Sequence, residues 1–319
     1  MNTMAFLFPG QGAQAVGMGI DLFEQFPEAE KVFETADRVL GFSITDLVRN
    51  GPAEELKLTV NTQPAVVTAS IAMLEALKSR GYSCEATAGH SVGEYTALYC
   101  AGVLSMEDAI SLTRSRGEYM HQAGEEKPGT LSAVIGLDLA VVENICHRAS
   151  DRGVCVVANI NCPGQVVISG DMAGVEEAGR LATEAGASRV IPLEVSAAFH
   201  SPLMEEAARK LSQRLDQVKF SDAKIPVYCN IDGTARTEGN AIRELMKKQI
   251  TSRVLWEKSI GAMMSDGIDK FIEIGPGKTL AGMLKRIDRK TAVFNFNTAS
   301  SLDKLEKQME KYMAVSQNQ

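Results

Sequence analysis

The pentapeptide Gly89-His90-Ser91-Val92-Gly93 fits G-x-S-x-G, the pattern of a nucleophile elbow. In such an elbow a serine sits on a sharp strand-to-helix turn with its hydroxyl exposed, and the glycines let the backbone close tightly. The bland alternative is an ordinary strand-helix turn. A serine hydroxyl is a weak nucleophile, so the chemistry needs a base, an oxyanion site and a group that selects the acyl chain.

Four histidines, at 90, 121, 147 and 200, are the candidates for the base. His90 lies inside the elbow with its side chain expected to project away from that of Ser91, and His121 and His147 fall on exposed-looking helices. His200 sits where a strand gives way to a loop before Ser201-Pro202, a position that suits a general base. Arg116 shares a helix face with Ala109, Leu112 and Met120 by i, i+3/i+4 spacing, which puts a guanidinium on an apolar stripe. A partly buried arginine needs an anionic partner, either an internal carboxylate or a substrate carboxylate held bidentately.

Two glycine-rich segments offer weaker signals. Gly10-Gln11-Gly12-Ala13-Gln14-Ala15 fits the dinucleotide pattern G-x-G-x-x-A, but no second strand with a terminal acid follows, so its backbone N–H groups are better read as oxyanion donors. Glu273-Ile274-Gly275-Pro276-Gly277-Lys278 reads as a strand-to-helix turn. The cluster Lys285, Arg286, Arg289 and Lys290 is either a solvated helix face or a docking patch for an acidic protein.

These residues must be carried by an α/β scaffold. Residues 4–8 read as a buried strand, 18–58 as short amphipathic helices, and 62–81 as a long helix with Thr62 at the N-cap and Pro64 in its first turn. Residues 84–90 read as strand, Val92 onward as helix, and Ser105 with Asp108 as a capping pair. Between 130 and 194 the pattern is β-α-β-β-α-β, the split βαβ of ferredoxin-like units. The expected fold is a large α/β hydrolase-like unit with a parallel sheet core over 1–128 and 196–319, into which a small ferredoxin-like α+β subdomain over 129–195 is inserted. Strands at 225–230 and 268–274 complete the large unit, and the polar tail beyond about 313 is expected to fray.

Composition bounds the function. The chain has 319 residues, 45% of them hydrophobic, and a net charge of −7, enough for a full core and a poor match to nucleic acid. Six cysteines without a C-x-x-C pair read as reduced buried thiols of a cytoplasmic protein, not a disulfide frame or a metal site. The apolar stretch in 1–10 lacks the regions of a signal peptide, and the run at 64–77 is too polar to span a membrane.

Taken together, these residues resemble the malonyl-CoA:acyl carrier protein transacylases and the related acyltransferase domains of polyketide synthases. The resemblance rests on Phe8-Pro9-Gly10-Gln11-Gly12, Thr62-Gln63-Pro64-Ala65, Gly89-His90-Ser91-Val92-Gly93-Glu94-Tyr95, Arg116-Gly117, Asn161-Cys162-Pro163-Gly164-Gln165, Phe199-His200-Ser201 and Glu273-Ile274-Gly275-Pro276-Gly277. It implies Ser91 as the acylated nucleophile, His200 as its base oriented by the Gln249 carbonyl, and backbone N–H groups of Gln11 and Val92 as the oxyanion hole. It further implies Arg116 as the clamp on the malonyl carboxylate and Phe199 as a mark of malonyl selectivity. The chain reads Ala-Ala-Phe-His over 197–200 where polyketide domains often show His-Ala-Phe-His.

The resemblance also implies malonyl-CoA as donor, phosphopantetheine on acyl carrier protein as acceptor, no permanently bound cofactor or metal, and a monomer. The competing readings are a serine thioesterase or hydrolase, a carrier-binding module on an inactive scaffold, and a stand-alone acyltransferase serving a polyketide synthase.

Overall fold

In the computed structural model, which describes residues 3–195 and 197–316, the first strand β1 (Thr3–Phe8) is buried on both faces from Ala5 onward. Phe6 and Phe8 enter one apolar cluster and Ala5 and Leu7 another, as the two-residue period of a strand requires. Such a strand belongs in the middle of a parallel sheet covered by helices.

Four short helices follow: α1 (Ile20–Gln25), α2 (Pro27–Leu40), α3 (Ile44–Asn50) and α4 (Ala53–Lys57). The long helix α5 (Thr59–Ser79) is buried along most of its length. The chain re-enters the sheet as β2 (Ala86–Gly89), turns at Ser91 into α6 (Gly93–Cys100), and packs α7 (Met106–Glu126) against α5. Ser105 caps α7 as expected, its Oγ accepting the Asp108 N–H at 3.0 Å.

The start of α5 corrects the sequence reading. The helix begins at Thr59, so Thr62 is not its N-cap and Pro64 stands inside it. The Thr62 hydroxyl instead donates to the Leu56 carbonyl at 2.6 Å. Proline has no N–H, which leaves the Val60 carbonyl, four residues earlier, without its helical partner. Arg114 Nη1 donates to that carbonyl at 3.2 Å, and this outside donor lets the helix run through the proline.

The split βαβ pattern folds into a sheet of its own, from β3 (Thr130–Ile135), α8 (Leu139–Ala149), β4 (Cys155–Cys162), β5 (Gln165–Gly170), α9 (Met172–Glu184) and β6 (Arg189–Pro192). Its order is β4-β5-β3-β6, with β5 antiparallel to both β3 and β4. Ser196, where the large unit is expected to resume, lies outside the described residues.

The remaining elements are α10 (Glu205–Asp216), β7 (Val227–Tyr228), β8 (Ala235–Arg236), α11 (Gly239–Gln249), α12 (Trp256–Ser265), β9 (Ile268–Ile274), α13 (Thr279–Ile287), β10 (Ala292–Phe296) and α14 (Ser300–Ser316). The large sheet runs β10-β9-β1-β2-β7-β8, parallel throughout except for the short β7–β8 hairpin. The fold is therefore mixed α/β, with a parallel-sheet core and a separate small antiparallel sheet.

Two expectations at the C-terminal side need revision. The strand expected over 225–230 shortens to two residues, because the Asn230 N–H leaves the ladder to donate to Glu94 Oε1 at 3.2 Å. The tail expected to fray from about 313 continues as helix through Ser316, and Tyr312 holds α14 edge-on against Phe294 of β10, centroids 6.1 Å apart. Residues 317–319 lie outside the described residues.

The start of α6 is pressed against the end of β1. A Cβ added to Gly93 would lie 2.3 Å from the Phe8 carbonyl oxygen and 2.6 Å from that of Pro9. Gly93→Ala should therefore destabilise the fold by about 1–3 kcal/mol in denaturant unfolding. Wild-type stability in that variant would contradict the close approach.

Candidate active site

A cavity of about 250 Å³ opens where the C-terminal ends of β1 and β2 face the antiparallel sheet. Open α/β sheets place their ligand sites at such strand ends. Gln11 and Ser91 line it from the large sheet, Arg116 from α7, Leu131 and Val167 from β3 and β5, and His200 from the returning chain.

Among the described residues, Ser91 (φ 51°) and His200 (φ 58°) are the two non-glycine residues in the left-handed region. That conformation costs an L-residue roughly 1–2 kcal/mol, so both must be braced. The Ser91 N–H donates to Asn230 Oδ1 at 2.7 Å, while Asn230 Nδ2 donates to the Gly89 carbonyl at 2.7 Å. The His200 N–H donates to the Ile250 carbonyl at 3.0 Å.

The two strained residues meet through their side chains, Ser91 Oγ lying 2.8 Å from His200 Nε2. His200 Nδ1 faces the Gln249 and Ser252 carbonyls at 3.1 and 3.0 Å. Carbonyls only accept, so the ring proton sits on Nδ1 and Nε2 keeps its lone pair toward the serine. The Gln249 carbonyl belongs to the last residue of α11 and, like the other last carbonyls of a helix, has no partner within it. Burial, with the Arg116 charge adding to it, pushes the His200 pKa down to about 3. The imidazole is thus a free base at neutral pH.

Arg116 is 1% exposed, as the apolar stripe on α7 requires, with Ala109, Leu112 and Met120 buried beside it. Its Nη1 donates to Gln63 Oε1 at 2.7 Å, and its Nη2 to Ser91 Oγ and Gln249 Oε1, both at 3.1 Å. All three partners are neutral, so no carboxylate bonds Arg116 directly; the buried Glu94 acts on its charge from the far side of the Gln249 amide. Its Nε has no partner among the described residues. Burial lowers its pKa to about 10, which still leaves it charged at neutral pH.

The remaining candidates fall on different sides of this centre. The Gln11 side chain donates to Thr59 Oγ1 at 3.1 Å. Neither its backbone N–H nor that of Val92 has a hydrogen-bond acceptor among the described residues. The loop after Gly10 reaches no helix until Ile20, so it offers no glycine-to-helix cradle for a dinucleotide. Phe199 lines the cavity. His90 is turned onto Asn161, with Nε2 2.9 Å from Oδ1, and lies edge-on to Trp256. His147 is exposed on α8, and His121 on α7 faces Glu125 at 3.7 Å.

Half of the basic cluster is tied down within the chain. Arg286 donates to Gln165 Oε1 at 2.9 Å, and Lys285 donates to the Arg289 and Thr291 carbonyls. Glu273 is a helix cap, its carboxylate accepting the Leu280 and Ala281 N–H groups at the start of α13. All six cysteines are free, but Cys84 and Cys100 are half-buried rather than buried. Among the described residues no cluster of three His, Cys, Asp or Glu could hold a metal, and no helix is long and apolar enough to cross a membrane.

Gln63, Glu94, Asn230 and Ser252 belong to the site although no role is assigned to them from sequence. Gln63 and Glu94 stand inside quoted motifs, Glu94 three residues after Ser91. Asn230 acts on Ser91 across 139 residues and Ser252 on His200 across 52, and no local pattern marks them.

A family model described as acyl transferase domain matches residues 5–318. The malonyl CoA-acyl carrier protein transacylase of Bacillus subtilis (strain 168) is 47% identical over 291 residues, 91% of this chain and 92% of that protein. The crystal structure of the malonyl CoA-acyl carrier protein transacylase from Clostridium perfringens has a TM-score of 0.94 at 37% identity, covering 99% of each chain. A malonyl-transacylase solved in complex with its type II polyketide synthase acyl-carrier protein has a TM-score of 0.93 at 38% identity, covering 96% of this chain and 100% of that one.

The geometry makes a direct prediction about protonation. Because its pKa is lowered, His200 should lose Nε2 as a base only as pH falls toward 3, not near the ordinary histidine value of about 6.5. Its ring resonances in an NMR titration should stay flat from about pH 8 to pH 5. A midpoint above pH 6 would mean that the ring is neither so buried nor so close to the guanidinium.

Proposed function

The chain belongs to the acyl transferase domain family, and from that premise we propose that it moves a malonyl group from malonyl-CoA to the phosphopantetheine thiol of an acyl carrier protein. The observation that carries the proposal is Arg116: a buried cation bonded only to neutral groups, 3.1 Å from the hydroxyl to be acylated, with an unused donor. A planar guanidinium so placed suits a carboxylate at the far end of a short acyl group. Acetyl and longer saturated acyl groups leave it uncompensated.

The reaction runs in two halves. Ser91 passes its proton to His200 Nε2 while its oxygen attacks the thioester carbonyl. The tetrahedral oxyanion takes the backbone N–H groups of Gln11 and Val92, each such donor being worth about 2.7–4 kcal/mol of barrier. The C–S bond then breaks, and the imidazolium returns its proton to the departing CoA sulfur. The malonyl ester remains on Ser91 with its carboxylate on Arg116. In the second half the carrier thiol gives its proton to His200, its sulfur attacks the ester, and Ser91 leaves with that proton.

Carbonyls rather than an acid orient the base, so the centre works as a Ser–His dyad with Gln249 and Ser252 holding the ring. Phe199 shapes the acyl pocket. Residues 129–195 act as the subdomain that closes the cavity over the large unit. Six free thiols suit a reducing compartment, the cytoplasm. Similarity to a relative solved with a polyketide carrier protein favours a second reading, in which this chain serves such a carrier; kinetics with both kinds of carrier protein separate the two.

Brief exposure to malonyl-CoA without carrier protein should add one malonyl group to the intact mass, and Ser91→Ala should abolish it. Rapid release of free malonate with no adduct would instead make the chain a hydrolase. Arg116→Ala should slow malonylation by about 100-fold while leaving acetylation from acetyl-CoA within about threefold of wild type. Equal loss with both donors would sink the clamp.

A further inference from the structure

We infer that Glu94 is a positioning residue for acyl selection: its carboxylate fixes the Gln249 amide so that the oxygen, not the nitrogen, faces Arg116. The inference rests on the proposed malonyl transfer through Ser91.

Glu94 lies in the first turn of α6 and is 1% exposed. Its Oε2 accepts Gln249 Nε2 at 2.6 Å, and its Oε1 accepts the Asn230 N–H at 3.2 Å. An ionised carboxylate has no hydrogen to give, so Gln249 must present its NH2 group. The other hydrogen of that group goes to the Ser91 carbonyl at 2.9 Å. The amide oxygen is left for Arg116 Nη2 at 3.1 Å. A reversed amide would set NH2 against guanidinium, and oxygen against two acceptors.

The cost of a carboxylate here points the same way. Glu94 is buried with no Lys or Arg within salt-bridge distance among the described residues; burial pushes its pKa up to about 7, against the Gln249 and Asn230 donors and the Arg116 charge, so the acceptor-only form is fully present above that pH. Shape alone does not call for a charge, since a glutamine has the same outline. A glutamine, however, offers one oxygen and one NH2, so either the Asn230 N–H or the Gln249 NH2 would meet a donor. Only an acceptor-only group satisfies both. Asn230 in turn holds the Ser91 N–H, so a glutamine at 94 whose oxygen stays on the Asn230 N–H leaves the elbow braced and sets its NH2 against Gln249, which confines the loss to the acyl clamp.

The test compares wild type, Glu94→Gln and Arg116→Ala for the rates at which Ser91 is loaded from malonyl-CoA and from acetyl-CoA, read by intact mass. For Glu94→Gln, malonylation should fall roughly tenfold to hundredfold, with acetylation within about threefold, moving the malonyl-to-acetyl ratio toward that of Arg116→Ala. In a Gln249→Ala background the same change should have little further effect, because the group it acts through is gone. An unchanged ratio, equal loss with both donors, or full additivity with Gln249→Ala overturns the inference. Should the glutamine variant fail to fold, Glu94→Asp, whose carboxylate stops one methylene short of Gln249, takes its place in the same cycle with the same expectations. A wild type that forms no malonyl-Ser91 removes the proposed function and this inference together. A working wild type with an unchanged variant ratio removes only the inference.

Discussion

A buried guanidinium without a carboxylate against it is the constraint around which this site is arranged. Moving a cation out of water is expensive, and a direct ion pair would be the simplest compensation. Arg116 is given neutral oxygens instead, from Gln63, Ser91 and Gln249. Each must come from a different element. Gln63 lies on α5, Ser91 at the elbow after β2, and Gln249 at the end of α11. Close contact between α5 and α7 is therefore a condition of the chemistry, and Gly117 provides it: a Cβ there would lie 2.8 Å from the Thr59 carbonyl oxygen. The helix that carries the cation can reach the serine only because the neighbouring residue has no side chain.

The second expense is backbone strain, placed at the two residues whose side chains meet, Ser91 Oγ and His200 Nε2. A left-handed serine and a left-handed histidine are each held by a contact from far along the chain, Asn230 for Ser91 and Ile250 for His200. The chain from 227 to 252 thus supplies nearly every brace: Asn230 to the elbow, the Gln249 amide to the arginine, and the Gln249 and Ser252 carbonyls to the imidazole. Both strained residues are held by this one stretch, which keeps Oγ and Nε2 turned toward each other.

How much of this could be read in advance depended on the range of the signal. The elbow, the arginine on its apolar stripe and the β-α-β-β-α-β run are local patterns, and each is visible within a window of a few turns. Helix α5 begins at Thr59, three residues ahead of the good local start signal that Thr62 and Pro64 form. Donation from Arg114 to the Val60 carbonyl, more than fifty residues away in sequence, overrides it. Strand β7 and the tail are likewise set by contacts outside their own segments, Asn230 with Glu94 and Tyr312 with Phe294. The carboxylate of Glu94 stood in plain view beside the serine, yet its meaning depends on an amide 155 positions later. An acid sought as a direct third member of a triad is not there to be found, because carbonyls orient the ring.

That choice of carbonyls has a consequence for reactivity. They fix the tautomer of His200 and pull its pKa upward, but they bring no full negative charge, so burial and the nearby Arg116 outweigh them and hold the pKa down. The same cation, in contact with Ser91 Oγ, favours the developing alkoxide. The two effects pull the proton transfer in opposite directions: an easier serine to ionise, a weaker base to receive the proton. A malonyl carboxylate seated on Arg116 shifts this balance. It offsets the positive charge felt by the imidazole and restores part of its basicity, while burial, the larger cause, remains. An acetyl group has no such charge to offer. On the proposed function, then, the arginine that selects the acyl group also makes the base respond to its presence, and selectivity and reactivity are set by one buried charge.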